Sequence, residues 1–128
     1  MAANVDERDP FTWEVIGAAI EVHREIGPGL LESVYQCCLE QEFKLRNLEF
    51  IPQYRMPVIY KGKELDDEFV LDFYFPERLI VEIKSVERMV PVFDAQLLTY
   101  LKLSHTKLGL LMNFNVPVMK DGIKRLVN

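Results

Sequence analysis

The feature that most constrains the fold is a pair of β-type runs joined by a short turn. Residues 69–75 and 79–85 are rich in aromatic and β-branched side chains, and three residues separate them. If the runs pair as an antiparallel hairpin closed by that turn, Asp72 lies directly opposite Glu82. Cβ atoms of opposed residues are about 4.5–5.5 Å apart, and like charges there are destabilising. A divalent cation bound by both carboxylates would turn this repulsion into a site.

Alternation of side chains along each strand sorts the hairpin into an apolar face and a charged face. The residues predicted to share the apolar face and to point into the core are Phe69, Leu71, Phe73, Phe75, Leu79, Val81 and Ile83. The other face carries Asp72, Glu82 and Lys84. The alternative is a solvated face on which Glu82 and Lys84 form a surface ion pair. A register slip of one residue would remove the opposition of the carboxylates.

Length and composition predict one folded domain. The chain has 128 residues, 49% of them hydrophobic and 27% charged, which is ordinary for a globular protein with its own core. Residues 1–10 are predicted to be a flexible tail, and residues 11–128 a single domain. The charged start lacks a signal-peptide core, and no apolar run approaches the roughly 18 residues of a membrane span.

The net charge limits the partners that the protein can have, and the cysteines indicate its cellular compartment. A net charge of −5 weighs against a protein that coats nucleic acid by charge alone, although part of this charge would be neutralised if the carboxylates are metal ligands. Cys37 and Cys38 are adjacent, with no metal-ligand or disulfide pattern elsewhere. They are interpreted as reduced core thiols of a cytoplasmic protein.

The order of predicted elements describes a mixed sheet with helices packed on its faces. Apolar spacing and turn residues predict helices over residues 11–26, 30–46 and 91–103, and strands over residues 53–60, 69–75, 79–85, 107–114 and 123–127. The apolar side of the second helix is predicted to consist of Leu31, Val34, Tyr35, Cys38, Leu39, Glu42 and Leu45.

Asp72 followed by Glu82-Ile83-Lys84 forms a D…ExK signature, which resembles that of the PD-(D/E)XK nuclease superfamily. The resemblance implies an α/β fold with a restriction-endonuclease-like core. In that core a mixed central sheet of order α-β-β-β-α-β is flanked by helices, and residues 30–113 match this order. The predicted helix at residues 11–26 would be an extra N-terminal helix.

A second motif narrows the resemblance. Residues 29–35, Gly-Leu-Leu-Glu-Ser-Val-Tyr, spell GxxExxY, and the chain resembles the bacterial GxxExxY protein family from about Ile16 to Val127. Further agreement comes from residues 18–23, 95–100 and 120–125.

The resemblance implies a role for each residue of the signature. Asp72 and Glu82 would hold a divalent ion, Mg²⁺ or Mn²⁺, with the carbonyl of Ile83 as a possible third oxygen ligand. Lys84 would orient or deprotonate the attacking water, or neutralise charge on the phosphate.

Three helical residues are implied as further members of the site. Glu32 matches a helical acidic residue placed beside the metal, and its alternative role is to stabilise the start of the second helix. Gln96 and Tyr100 match a QxxxY element that positions substrate, and they share a face of the third helix. Their alternatives are a backbone-capping amide and a core aromatic with a hydrogen-bonded hydroxyl.

The function that these residues imply is metal-dependent hydrolysis of a phosphodiester in DNA or RNA. The implied partner is a nucleic acid that is not bound mainly by charge, with no membrane and with a homodimer or a protein partner as further options. The alternative is a catalytically silent module that keeps the fold and uses the site to bind a protein or a nucleic acid.

Overall fold

A computed structural model describes residues 9–128 of the chain. Its elements are helix α1 (Pro10–Ile26), helix α2 (Glu32–Leu45), strands β1 (Ile51–Tyr60), β2 (Lys63–Phe75) and β3 (Leu79–Lys84), helix α3 (Pro91–Ser104), strand β4 (Leu108–Asn113), a 3₁₀ turn (Met119–Gly122) and strand β5 (Ile123–Val127). Asp9 caps α1 by accepting a hydrogen bond from Phe11 N. The predicted tail lies outside the described residues for positions 1–8, and α1 begins at position 10.

The five strands form one mixed sheet in chain order. β1, β2 and β3 are antiparallel neighbours, β3 and β4 run parallel, and β5 is antiparallel to β4. α1 and α2 cover one face of the sheet with the larger apolar cluster, and α3 covers the other face. The predicted mixed sheet flanked by helices is confirmed, and α3 supplies the crossover that a parallel pair of strands requires.

The hairpin register is confirmed as far as the ladder extends. Phe75 pairs with Leu79, Tyr74 with Ile80 and Phe73 with Val81, which is the predicted pairing. The ladder ends at Phe73, so Asp72 and Glu82 are not a ladder pair.

The prediction that one face of β2 carries all four apolar residues is wrong. Phe73 and Phe75 pack in the cluster under α1 and α2, whereas Phe69 and Leu71 pack in the cluster under α3. The alternation of side chains therefore breaks at Asp72.

The break has a partner on β1. Pro52 pairs with Phe73 and Tyr54 pairs with Leu71, so Gln53 is the residue across from Asp72. Gln53 has a φ of 49°, in the left-handed region that residues with a Cβ seldom adopt. The positive φ on β1 thus lies at the same level as the break in alternation on β2.

The prediction for the apolar side of α2 is partly wrong, and the predicted core position of Cys37 is wrong because this thiol is exposed. Leu31 and Leu45 are 74% and 66% exposed, whereas the buried residues are Tyr35, Leu39 and Phe43. These three are spaced four apart and lie on one side of the helix. Phe43 was missed, although its ring contacts the rings of three other phenylalanines: Phe50, Phe73 and Phe75.

Among residues 9–128, no helix is both long and apolar enough to cross a membrane.

Candidate metal centre

The two carboxylates meet where β2 and β3 separate. Asp72 N donates a hydrogen bond of 2.8 Å to Glu82 Oε2, and Ile83 N donates one of 2.7 Å to Asp72 Oδ2. Each side chain thus takes a backbone N–H of the opposite strand that the ladder leaves without a carbonyl partner. The contacts hold Asp72 and Glu82 together at the carboxyl end of β3.

Burial makes this pair of charges costly. Glu82 is only 6% exposed, and burial together with the neighbouring charge of Asp72 raises its pKa to about 8. Burial also raises the pKa of Asp72, although the Ile83 N–H, the Gln53 amide and the charge of Lys84 act in the opposite direction. Two partly desolvated carboxylates with raised pKa values are an arrangement that a proton or a metal cation stabilises.

The residues present fit a divalent cation that binds through oxygen atoms. Mg²⁺ is usually held by one or two carboxylates and completes its shell with waters and substrate oxygens, whereas Ca²⁺ and Zn²⁺ sites draw on more protein ligands. In residues 9–128 no group of three or more His, Cys, Asp or Glu side chains is arranged to hold a metal. The Ile83 side chain is a hydrocarbon packed in the core, so only its backbone carbonyl could serve as a third oxygen ligand.

Lys84 follows Glu82 by two residues at the end of β3. Its Nζ lies 4.3 Å from the centroid of the Phe93 ring, and its charge lowers the pKa of both carboxyl groups. The alternative of a solvated ion pair is wrong, because Glu82 is buried and no ion pair within the described chain joins it to Lys84.

Glu32 is the first residue of α2, where no side chain caps the helix. The residue is exposed, and its charge contributes to the raised pKa of Glu82. It is therefore within electrostatic range of the pair while also occupying the position that the helix dipole favours for a carboxylate.

Of the two residues on α3, Tyr100 is buried within electrostatic range of the carboxylates, and Gln96 is exposed. Tyr100 is 5% exposed, and burial and the charges of Glu82 and Asp72 raise the pKa of its hydroxyl. Its ring centroid is 5.4 Å from that of Phe69. Gln96 is exposed and forms no side-chain hydrogen bond with any described residue, so its predicted backbone cap is absent from this part of the chain.

Two glutamines that the sequence interpretation missed hold Asp72. Gln53 Nε2 donates to Asp72 Oδ1 at 3.2 Å, and Gln36 Nε2 donates to the backbone oxygen of Asp72 at 3.1 Å. Gln36 follows Glu32 by four residues on α2, a spacing that could have indicated a shared face. The position of Gln53 depends on its positive φ, which has no signal in the sequence.

Asn113 was also missed, and it fixes the chain just beyond Lys84. It is 4% exposed and pairs with Lys84 across the parallel strands. Its amide accepts from Val86 N at 3.1 Å and donates to Val86 O at 3.0 Å. Phe114 N donates to the backbone oxygen of Lys84 at 2.9 Å. The exit of β3 is therefore held on both sides of Ser85.

Tyr35, the last residue of the GxxExxY motif, anchors the loop before α2. Its hydroxyl donates to Gly27 O at 2.7 Å and accepts from Leu30 N at 3.2 Å, and its ring stacks on Phe114. Ser85 Oγ donates to Leu30 O, which ties the same loop to the end of β3. The motif thus connects Glu32 to the candidate metal centre.

A family model described as the PD-(D/E)XK nuclease superfamily matches residues 9–126. No match was found among curated proteins or among solved structures.

Proposed function

Because this chain belongs to the PD-(D/E)XK nuclease superfamily, we propose that it is a metal-dependent nuclease that hydrolyses a phosphodiester bond of DNA or RNA. The site would consist of Asp72, Glu82 and Lys84 at the point where β2 and β3 separate. The GxxExxY motif at residues 29–35 supports the narrower assignment to the bacterial GxxExxY family.

The observation that carries the proposal is the pairing of buried Glu82 with half-buried Asp72. A structural role alone does not account for a glutamate that is 6% exposed and lies beside a second carboxylate that raises its pKa. A divalent cation removes the repulsion and lowers both pKa values. Mg²⁺ or Mn²⁺ matches an all-oxygen site with two carboxylates.

Each residue of the proposed site has a distinct role in the reaction. Asp72, held by Gln53 and Ile83 N, and Glu82 would bind the ion, with the Ile83 carbonyl as third ligand. A bound divalent ion would polarise the attacking water and stabilise charge on the phosphate. Lys84 would orient or deprotonate that water, or neutralise charge on a phosphate oxygen.

Three further residues would complete the site. Glu32 would enter from α2 beside the ion, and Tyr100 would position substrate from α3. Gln96, which is exposed, would contact substrate. The free thiols of Cys37 and Cys38 fit a reducing compartment, so the proposed location is the cytoplasm.

A catalytically silent binding module is the second candidate, and the hydrogen bonding of the pair favours it. Both oxygens of Asp72 and one oxygen of Glu82 already accept hydrogen bonds from the protein. Such a site is closed enough to persist with a proton in place of a metal, and it could then bind a nucleic acid or a protein partner without turnover.

Single-turnover cleavage of labelled single-stranded and duplex DNA and RNA, with Mg²⁺ and with Mn²⁺, separates the two candidates. Lys84→Ala should lose at least tenfold in cleavage rate while keeping metal affinity, because the ion is held by the carboxylates. Binding of substrate in Ca²⁺ should fall only slightly, since one phosphate contact is a small part of the total.

Asp72→Asn is the control for contaminating nuclease. Cleavage that is equal in wild type, Lys84→Ala and Asp72→Asn would contradict the nuclease proposal. Binding that is weakened by Lys84→Ala, with no cleavage by wild type, would support the silent module.

A further inference from the structure

Positive charge is unevenly distributed along this acidic chain. Residues 102–128 contain five Lys or Arg and one Asp, a net charge of +4. Because the whole chain carries −5, residues 1–101 carry −9. The C-terminal residues are therefore the positively charged part of an otherwise acidic chain.

The fold gathers most of these cations at one edge of the sheet. Lys124 and Arg125 belong to β5, which is the edge strand, and Lys120 lies in the 3₁₀ turn before it. Lys107 precedes β4 beside the end of β5, where its backbone oxygen accepts from Asn128 N. These four residues, Lys107, Lys120, Lys124 and Arg125, are called the basic edge below.

A half-exposed indole lies beside Arg125 of the basic edge. Trp13 of α1 is 50% exposed, and the guanidinium carbon of Arg125 is 5.3 Å from the centroid of its ring. Trp13, Lys120 and Arg125 line a cavity of about 140 Å³. Aromatic rings between cations are the combination with which proteins bind single-stranded nucleic acid, since bases stack on the rings and phosphates meet the cations.

The basic edge begins at the level of the candidate metal centre. Ile123, the first residue of β5, pairs with Met112 on β4, and Met112 pairs with Ile83 on β3. Two strand spacings separate β3 from β5, which is about 10 Å. At a rise of about 3.4 Å per nucleotide, this distance is roughly three nucleotides along one strand.

From these observations we propose that the basic edge binds a single strand of nucleic acid, with phosphates on the cations and a base against Trp13. The strand would be the same one that enters the candidate metal centre, so the inference rests on the proposed function and names its substrate class. Lys107 and Lys120 are the clearest contributors, because both are exposed and Lys124 is already paired with Asp94.

Trp13 is the only tryptophan of the chain, so its fluorescence reports on this edge directly. Titration of wild type with a single-stranded 20-mer in Ca²⁺ should quench Trp13, and a duplex of the same sequence should quench it much less. The logarithm of the binding constant should fall linearly with the logarithm of salt concentration. The double variant Lys107→Gln/Lys120→Gln should reduce the magnitude of that slope by about 1.4, because each phosphate that is no longer neutralised lowers it by about 0.7.

The matched control is Lys61→Gln/Lys63→Gln, which removes the same charge from the turn between β1 and β2 at the opposite edge of the sheet. It should leave the quenching and the salt slope unchanged. An equal change in both double variants, equal quenching by the duplex, or tighter binding of poly-glutamate than of the oligonucleotide would overturn the inference. Quenching with the expected slope but without cleavage in Mg²⁺ would support the basic edge and contradict the nuclease proposal. If wild type cleaves the oligonucleotide and the basic-edge variant binds and cleaves it equally well, the nuclease proposal is supported and the basic-edge inference is contradicted.

Discussion

At the scale of single residues, the protonation of Glu82 controls the candidate metal centre. A pKa of about 8 means that the carboxyl group carries a proton at neutral pH when no metal is bound. The proton then does electrostatically what a cation would do, because it removes the repulsion with Asp72. Metal and proton therefore compete, and metal binding below pH 8 should release a proton and strengthen as the pH rises.

The same shift makes the metal-free protein less stable as pH rises. The folded pKa of about 8 is above the ordinary glutamate value of 4.5, so between these values the folded state binds more protons than the unfolded state. The slope of the unfolding free energy with pH is proportional to the number of protons bound by the unfolded state minus the number bound by the folded state. This difference is negative between the two pKa values, so the protein loses stability as pH rises across this window. The loss is at most about 1.4 kcal/mol per pH unit for one group.

Urea denaturation in EDTA between pH 5 and pH 8 measures this effect. Glu82→Gln, which stays neutral, should be more stable than wild type at pH 8 and should flatten this part of the pH dependence. Glu40→Gln is a control on α2, because it removes the same kind of charge from a glutamate that is only partly buried. A wild type that keeps or gains stability from pH 5 to pH 8, relative to Glu82→Gln, would contradict the raised pKa.

At the scale of elements, the sequence predicts the β2–β3 hairpin well from its turn to Phe73, where the ladder ends. The pairing of Phe75 with Leu79 follows from the short turn and from the alternation of apolar residues, both of which are local signals. The change of face at Asp72 and Gln53 is not predictable, because no residue type in either strand marks a reversal of the alternation. Asp72 and Glu82 could be brought together from sequence because each lies one residue beyond the last ladder pair, Phe73 with Val81.

The supports of the site were harder to predict than its charged residues. Gln53, Gln36 and Asn113 act through hydrogen bonds to backbone or carboxylate atoms, and their residue types are equally common on solvated surfaces. Phe43 was missed because the helical spacing continues from Leu39 as regularly to Leu45, through Glu42, as it does to Phe43. Periodicity locates a helix more reliably than it locates the buried side, since the neighbouring elements decide which stripe is covered.

Asn113 is the element-scale support whose removal should be most informative. Asn113→Ala leaves Val86 N, Val86 O and Asn115 N without their amide partner beside a buried position. Each unpaired buried group costs about 1–3 kcal/mol, so a total loss of about 3 kcal/mol is expected if water reaches some of them. Turnover should fall more than substrate affinity, because the segment held by Asn113 follows Lys84 directly.

Asn115→Ala is the matched control for Asn113→Ala. It makes the same substitution two residues along, where the side chain forms no hydrogen bond with the described residues and is partly exposed. Denaturation and single-turnover cleavage should therefore change little. Equal losses of stability and turnover in the two variants would show that Asn113 has no special role in holding the end of β3.

At the scale of the whole molecule, the candidate metal centre joins elements that otherwise pack apart. β2 and β3 supply the carboxylates, α2 supplies Gln36 and the charge of Glu32, and α3 supplies Tyr100. The two apolar clusters lie on opposite faces of the sheet, and both reach β2 at the change of face. An ion bound there would stabilise the native arrangement of all these elements, because the unfolded chain does not bring Asp72 and Glu82 together.

This arrangement predicts a rise in melting temperature with Mg²⁺ or Mn²⁺. An ion that binds only the native state adds about 2.7 kcal/mol at a concentration one hundred times its Kd. For a chain of this length, roughly 4 °C per kcal/mol gives a rise of about 10 °C. Asp72→Asn should abolish the rise and, without metal, should be at least as stable as wild type at pH 8. Its amide oxygen can keep the hydrogen bond from Ile83 N while one negative charge beside Glu82 is removed.

Asp66→Asn is the control on the exposed part of the same strand and should respond to metal as wild type does. Scanning calorimetry of the three proteins with EDTA, Mg²⁺ and Mn²⁺ makes the comparison. A metal-induced rise that persists in Asp72→Asn would place the ion elsewhere on the molecule.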